Sequence, residues 1–408
     1  MGQPIVVLNT QKAAADLLDR RAGIYSDRPR LIVAGEILCG GLSIPLLQTC
    51  GPLWGRMHKA VHEDQHIRRT TASIAMTITY DTPPIVSEQD PGVKAIDDIM
   101  ARVTRATLPG AYLVELFPWM LYIPSRFAKW KRDAEYWYEN DSVMFVNRFN
   151  GVREKLVRCL ARWDSIVRAC TVSEIGFLSL IVSISAGGSD LSAAAMAWWM
   201  LAMVTYPDVQ RRAQAELDAV VGRTRIPTFS DFQHLPYIRA TVKEVLRWRP
   251  MAPLGLPHCS TEDDWYNGMF IPKGTIMIAN VWHLNRDHSI YGADAAHFNP
   301  ARFLDANGEL PLCPPETMEE GHVTYGFGRR VCPGRHAANN SFFIDMAMVL
   351  WACDIQPGKD EHGNVIPIDV GRWVDGLHIR PVPFKADISP RFPEAVALLA
   401  GERELGVR

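Results

Sequence analysis

The run Tyr325-Gly-Phe-Gly-Arg-Arg-Val-Cys-Pro-Gly334 constrains this chain more than any other stretch. It sets Gly326, Gly328, Arg330, Cys332 and Gly334 at fixed offsets. At ~7% Gly and assumed frequencies of roughly 5% Arg and 2% Cys, such a pattern arises by chance at about 3 × 10⁻⁷ per position, or about 10⁻⁴ over the chain. The spacing suits a reactive thiolate. Cys332 lies on a Gly-rich loop just before a helix predicted to start at Arg335, where backbone N–H groups and the positive end of the helix dipole stabilise negative charge on sulfur. Gly328 and Gly334 allow backbone to approach a flat ligand closely. Arg330, two residues away, suits a carboxylate on the same ligand. The plainer alternative is a buried cysteine in a glycine turn.

The rest of the chain is that of a folded protein. Of 408 residues, 48% are hydrophobic and 22% charged, which excludes a disordered chain. Lys and Arg number 43 against 45 Asp and Glu, a net charge of −2, so no basic excess marks a nucleic-acid binder. Eight cysteines are too few for a disulfide scaffold, and no C-x-x-C pair indicates zinc or dithiol redox chemistry. The first residues have no basic segment, apolar core or small-residue cleavage site of a secretory signal. No uninterrupted apolar run of ~18 residues predicts a membrane span.

Neither repeats nor a Gly/Ser linker divides the chain, which reads as one domain over residues 1–408. Ile5–Leu8 reads as a strand. Val93–Thr107 and Arg132–Phe149 are amphipathic helices, with turns at Leu108-Pro109-Gly110 and between Phe117-Pro118 and Ile123-Pro124. The long apolar stretch 177–204 reads as a core helix. Pro207 and Pro236 fit the first positions of two further helices, ended by Gly222 and Pro250. Asn267-Gly268 is a hairpin signal, Thr275–Asn280 a short strand, and Arg335–Cys353 another helix. The fold class is mainly α with a minor β component.

A single thiolate on a planar ligand is the chemistry of haem, where thiolate ligation favours O–O cleavage. Here the sequence closely resembles the cytochrome P-450 superfamily of haem-thiolate monooxygenases. The family signature F-x-x-G-x-R-x-C-x-G is matched from Tyr325 to Gly334, with Tyr325 in place of the first Phe. The resemblance implies that Cys332 is the axial iron ligand and Arg330 a partner of a haem propionate. Phe327, Gly328 and Gly334 then belong to the cofactor-binding loop.

Four further segments extend the resemblance. Glu244-Val-Leu-Arg247 matches E-x-x-R, and Phe298-Asn-Pro-Ala-Arg302-Phe matches the later P-x-R-F segment. Together they imply a structural triad of Glu244, Arg247 and Arg302. Read alone, an i, i+3 Glu/Arg pair is a solvated surface ion pair. Ala186-Gly-Gly-Ser-Asp190-Leu-Ser192 stands where the family's long distal helix carries A-G-x-[DE]-T, whose acid and Thr serve proton delivery. Two glycines inside such a helix cost about 1 kcal/mol each relative to Ala. Asp190 is kept, Leu191 stands where Thr is usual, and Ser192 is the nearest hydroxyl, about 100° further round the helix. Trp54-Gly-Arg-Met-His58 resembles W-x-x-x-R, with His58 where an Arg contacts a propionate.

The expected reaction inserts one oxygen atom from O2 into a lipophilic small molecule, with electrons from NADPH through a flavoprotein reductase. Apolar Ile44, Leu46, Leu47, Met251, Leu254 and Leu256 fall in the segments that contact substrate in the family. Segments such as Phe117-Pro-Trp-Met look most like fungal microsomal members, whose full-length forms sit on the endoplasmic-reticulum membrane. An N-terminal anchor is not visible, and residues 62–69 and 155–174 read as shorter than a complete member. Two alternatives stand beside this expectation. One is a haem-thiolate enzyme that needs no proton relay, such as a peroxygenase, isomerase or dehydratase. The other is a degenerate, non-catalytic member.

Overall fold

The computed structural model describes residues 3–40, 91–108, 110–158, 191–311, 313, 314, 316, 317, 319–374 and 378–405. The chain divides into two compact units. One comprises Met1–Ser192, Leu254–Asn280 and Tyr325–Ala337; the other comprises Ala193–Pro253, Val281–Thr324 and Ala338–Arg408.

In the first unit, strand β1 (Ile5–Leu8) lies parallel to β5 (Ile276–Ala279), and β2 (His258–Cys259) pairs antiparallel on the other side of β5. Strands β3 (Asp264–Tyr266) and β4 (Met269–Ile271) form the expected hairpin. Its turn residues Asn267 and Gly268 have φ of 48° and 77°, the left-handed pair that a type I′ turn requires. Helix α1 (Pro91–Thr107) matches the reading closely, whereas α2 runs from Lys129 to Arg158, longer than its apolar pattern predicted. Between them, the segment 113–127 is a series of short helical turns, one of them opened by Pro118, with breaks at Phe117 and Pro124. A core of Ile32, Val33, Ala34, Ala106, Val114 and Ala134 joins these elements. The helical turn Ile32–Leu38 is tied in by Glu115, whose carboxylate accepts from the N–H groups of Ile32 (3.0 Å) and Val33 (2.8 Å). A carboxylate there satisfies donors that have no partner inside the turn.

The second unit carries the helical stretch α3 (residues 191–205) from Ala193 on, then α4 (Pro207–Val220) and α5 (Pro236–Trp248). Proline occupies the first turn of both α4 and α5, as its fixed φ and missing N–H favour. Glu216 on α4 caps α5 by accepting from the N–H groups of Tyr237 (2.8 Å) and Ile238 (3.0 Å). Helix α6 (Arg335–Ala352) leads into β6 (Cys353–Pro357), which pairs antiparallel with β7 (Ala386–Pro390). Gln210 ties α4 to β6 through two 2.8 Å bonds, accepting from the Ile355 N–H and donating to its carbonyl.

Buried Trp198 and Trp248 centre an aromatic core with Tyr206 and Phe298. Arg249 lies 4.0 Å above the Trp248 ring, and burial lowers its pKa to about 10. The fold is predominantly helical with minor strand content. No helix among the described residues is long and apolar enough to cross a membrane.

Candidate functional site

The Cys332 loop belongs to the first unit. A single 3-10 turn, Gly328–Arg330, is followed by extended Val331 and then by Cys332, three residues before α6 begins. The Cys332 N–H donates to the Tyr325 carbonyl at 2.8 Å, which closes the loop, and the Cys332 carbonyl accepts from the Arg335 N–H at 3.4 Å. Cys332 is half-buried and not disulfide-bonded. Its thiol therefore lies at the start of an 18-residue helix, where the macrodipole favours a thiolate. The nearest atom to a Cβ built on Gly334 is Cys332 Sγ at 4.0 Å, so Gly334 leaves one side of the sulfur uncrowded. Phe327 is 1% exposed and anchors the loop in the core.

Gly328 has φ of +55°, and a Cβ there would stand 2.1 Å from the Leu18 carbonyl oxygen. Its N–H donates to the Asp19 carboxylate. The close backbone approach expected at Gly328 is thus made to the N-terminal segment. Gly328→Ala combines a left-handed φ with a backbone clash, and we expect it to cost more than about 1 kcal/mol in urea unfolding.

Arg330 is buried, and its Nε donates to the Ser26 carbonyl at 2.8 Å. Around it the structure gathers residues that sequence reading missed. Arg28, also buried, donates to the carbonyls of Leu256 (2.8 Å) and Pro257 (2.9 Å). His258 Nδ1 lies 2.7 Å from the Tyr25 carbonyl, which can only accept, so Nδ1 carries the proton. Asp27 is the carboxylate that couples to both arginines, and burial pushes its pKa up. Among these residues, positive charge exceeds negative. The signal for the cluster was the Ser26-Asp-Arg28 and Pro257-His258 pairs, which are 229 positions apart and meet only through β2.

Burial, and next the Arg28 charge, lower the His258 pKa to about 3. An unfolded chain takes up this proton near 6.5. The His258 contribution to stability is therefore complete above pH 6.5 and declines as pH falls towards 3, by at most about 1.4 kcal/mol per unit. We expect His258→Asn to lessen the drop in urea midpoint between pH 7 and pH 5, leaving the share of buried His322, whose pKa burial also lowers.

The second unit contains the acid–arginine cluster. Glu244 and Arg247 are fully buried and joined by two bonds of 2.6 and 2.8 Å. Arg247 places all five of its donors. Two reach Glu244, and the rest reach the carbonyls of Asn285 (2.7 Å), Ala295 (2.7 Å) and His297 (3.1 Å). Arg302 Nε donates to Glu244 at 3.2 Å, and its guanidinium also meets Asp294 at 3.0 Å. The three residues are brought together, and the surface reading of the Glu/Arg pair is overturned by its burial.

Residues 57–383 match the cytochrome P450 family profile. A cytochrome P450 monooxygenase of Armillaria gallica is 54% identical over 445 aligned positions, covering 99% of this chain and 85% of its own length. A second from the same fungus is 49% identical over the same shares, and one from Postia placenta is 42% identical, covering 98% and 83%. The chain belongs to the cytochrome P450 family. That membership implies a haem-thiolate cofactor, oxidoreductase activity, a reductase partner and a small-molecule substrate.

Of the other residues read from this P450's sequence, Ser192 is buried, 6% exposed, within α3, and Leu191 beside it is half-buried. Asp190, Trp54 and His58 lie outside the described residues, as do Ile44, Leu46 and Leu47. Met251 is buried, whereas Leu254 is 53% exposed. Among the described residues, no three His, Cys, Asp or Glu side chains converge to hold a bare metal ion.

Proposed function

We propose that this cytochrome P450 holds haem through Cys332 and transfers one oxygen atom from O2 to a lipophilic small molecule, with electrons supplied from NADPH by a flavoprotein reductase. The observation that carries this reading is the Cys332 loop: a half-buried thiol at a helix start, two residues from a buried arginine. These residues fit the group. A helix N-terminus stabilises the thiolate, and the Arg330–Arg28 cluster has positive charge to offer carboxylates. Phe327 and Gly328 fix the loop from behind. Glu244, Arg247 and Arg302 act as positioning residues that hold their part of the chain. Haem bound there supplies the centre at which dioxygen is activated. Asp190, with Ser192, would carry protons towards it. The apolar character of Met251 and Leu256 supports a lipophilic substrate.

Two specific observations keep other readings in view. Leu191, in place of the usual Thr, favours a haem-thiolate enzyme that works without a proton relay. The 445-position alignment to the Armillaria gallica relative is longer than the 408-residue chain itself, so that relative has internal residues with no counterpart here. This favours a shortened member that holds haem weakly.

The deciding experiment is expression with a haem precursor, followed by the spectrum of the reduced, carbon-monoxide-bound protein. A strongly red-shifted Soret band supports the proposal. A band typical of a neutral ligand, or no bound haem, supports the non-catalytic reading. Leu191→Thr then separates the two enzyme readings. Gain of reductase-driven turnover with unchanged peroxide-driven turnover assigns the wild-type chain to chemistry without the relay.

A further inference from the structure

The second unit holds a cavity of about 360 Å³ that borders the acid–arginine cluster at Arg302; Lys243, Tyr291, Phe303 and Cys313 are also among its walls. Cys313 is half-buried and not disulfide-bonded. Its Sγ lies 3.8 Å from Lys243 Nζ and donates to the Glu319 carbonyl at 2.9 Å. The Lys243 side chain, 19% exposed, donates to the carbonyls of Glu319 (3.2 Å) and Glu320 (2.8 Å). The Glu320 carboxylate stands 4.0 Å from the same nitrogen. One carbonyl therefore holds thiol and ammonium side by side at the cavity wall. Gly321 sets the sulfur closely from behind, since a Cβ there would meet Sγ at 3.3 Å.

We propose that Cys313 and Lys243 form a peroxide-operated covalent latch. The cavity admits a molecule of the size of hydrogen peroxide, and the ammonium attracts the negative charge on the attacking sulfur. The thiolate attacks one peroxide oxygen; an S–O bond forms, the O–O bond breaks, and the other oxygen leaves as water after taking the thiol proton. Sulfur loses two electrons and peroxide gains them, giving a sulfenic acid. The deprotonated Lys243 amine then displaces the sulfenic hydroxyl. An S–N bond forms, a second water leaves, and no further electrons move. An external dithiol attacks the sulfur and restores both side chains. Lys243 directly precedes Glu244, so the closed latch ties the Cys313 segment to the helix that carries the buried ion pair.

The test is peptide mapping by mass spectrometry of the full chain before and after hydrogen peroxide. The expected product joins the Lys243 and Cys313 peptides, two hydrogens lighter than their sum, and is released by dithiothreitol. Its yield should fall at least tenfold in Cys313→Ser and in Lys243→Arg. The same two peptides joined with one extra oxygen also support the pair. Sulfinic acid at Cys313 with Lys243 unmodified overturns the latch, as does an unreacted Cys313 when other cysteines have oxidised. The wild-type map decides the matter without any variant, and its readout is independent of haem.

Discussion

Cys332→Ser is expected to remove the strongly red-shifted Soret band of the reduced, carbon-monoxide-bound protein while leaving the fold in place. The change swaps one atom. The loop is closed by the Cys332 N–H to the Tyr325 carbonyl at 2.8 Å and anchored by buried Phe327, neither of which the change touches. A serine hydroxyl titrates far above a thiol and gives no comparable anionic ligand at neutral pH. Circular dichroism and urea unfolding should therefore match the wild type within about 0.5 kcal/mol. Bound haem should fall, or its reduced carbon-monoxide band should move to the position of a neutral-ligand haem. Retention of the red-shifted band would assign ligation to another side chain.

The second large effect is expected at Glu244 and Arg247. Glu244→Ala leaves a fully buried guanidinium without its carboxylate, and Arg247→Ala takes the donor from the Asn285 and Ala295 carbonyls and leaves the Glu244 carboxylate only the Asn299 N–H and Arg302. Breaking a buried pair on one side costs about 3–5 kcal/mol. Against a total stability of about 5–15 kcal/mol, either change can unfold the chain. The double variant Glu244→Leu, Arg247→Met removes both charges together and should cost less than the sum of the single changes. Arg302 limits that recovery, because it also donates to Glu244, at 3.2 Å, although Asp294 remains its partner. Urea titrations of the three variants measure the coupling. Strict additivity would mean that the pair acts through separate carbonyl contacts.

Much of the framework was legible where a local rule decides. Pro207 and Pro236 start their helices because proline fits a first turn, and Asn267-Gly268 turns a hairpin because both residues take positive φ. The loop from Tyr325 to Gly334 was legible from spacing alone. The rest depends on which face of an element turns inward. The i, i+3 spacing of Glu244 and Arg247 puts them on one face but is equally good for a surface pair. Their burial follows from carbonyls at Asn285, Ala295 and His297 that no local pattern associates with α5. The charged cluster at Arg330 was half-read for the same reason. Arg28 and His258 reach it through strand pairing across more than half the chain. Helix α2 outran its prediction because polar residues such as Lys129 extend a helix without extending its apolar stripe.

The contact between Gly328 and Asp19 bears on how the protein is made. Its two halves lie 309 residues apart in the chain. At about 5–20 residues per second, a ribosome releases the N-terminal segment roughly 15 to 60 s before it finishes the cysteine loop that the segment supports. The first strand waits somewhat less long, since its partner β5 begins at Ile276. The cysteine loop is thus completed long after the segment that braces it has been made. The haem capture proposed for Cys332 can therefore begin only after that interval.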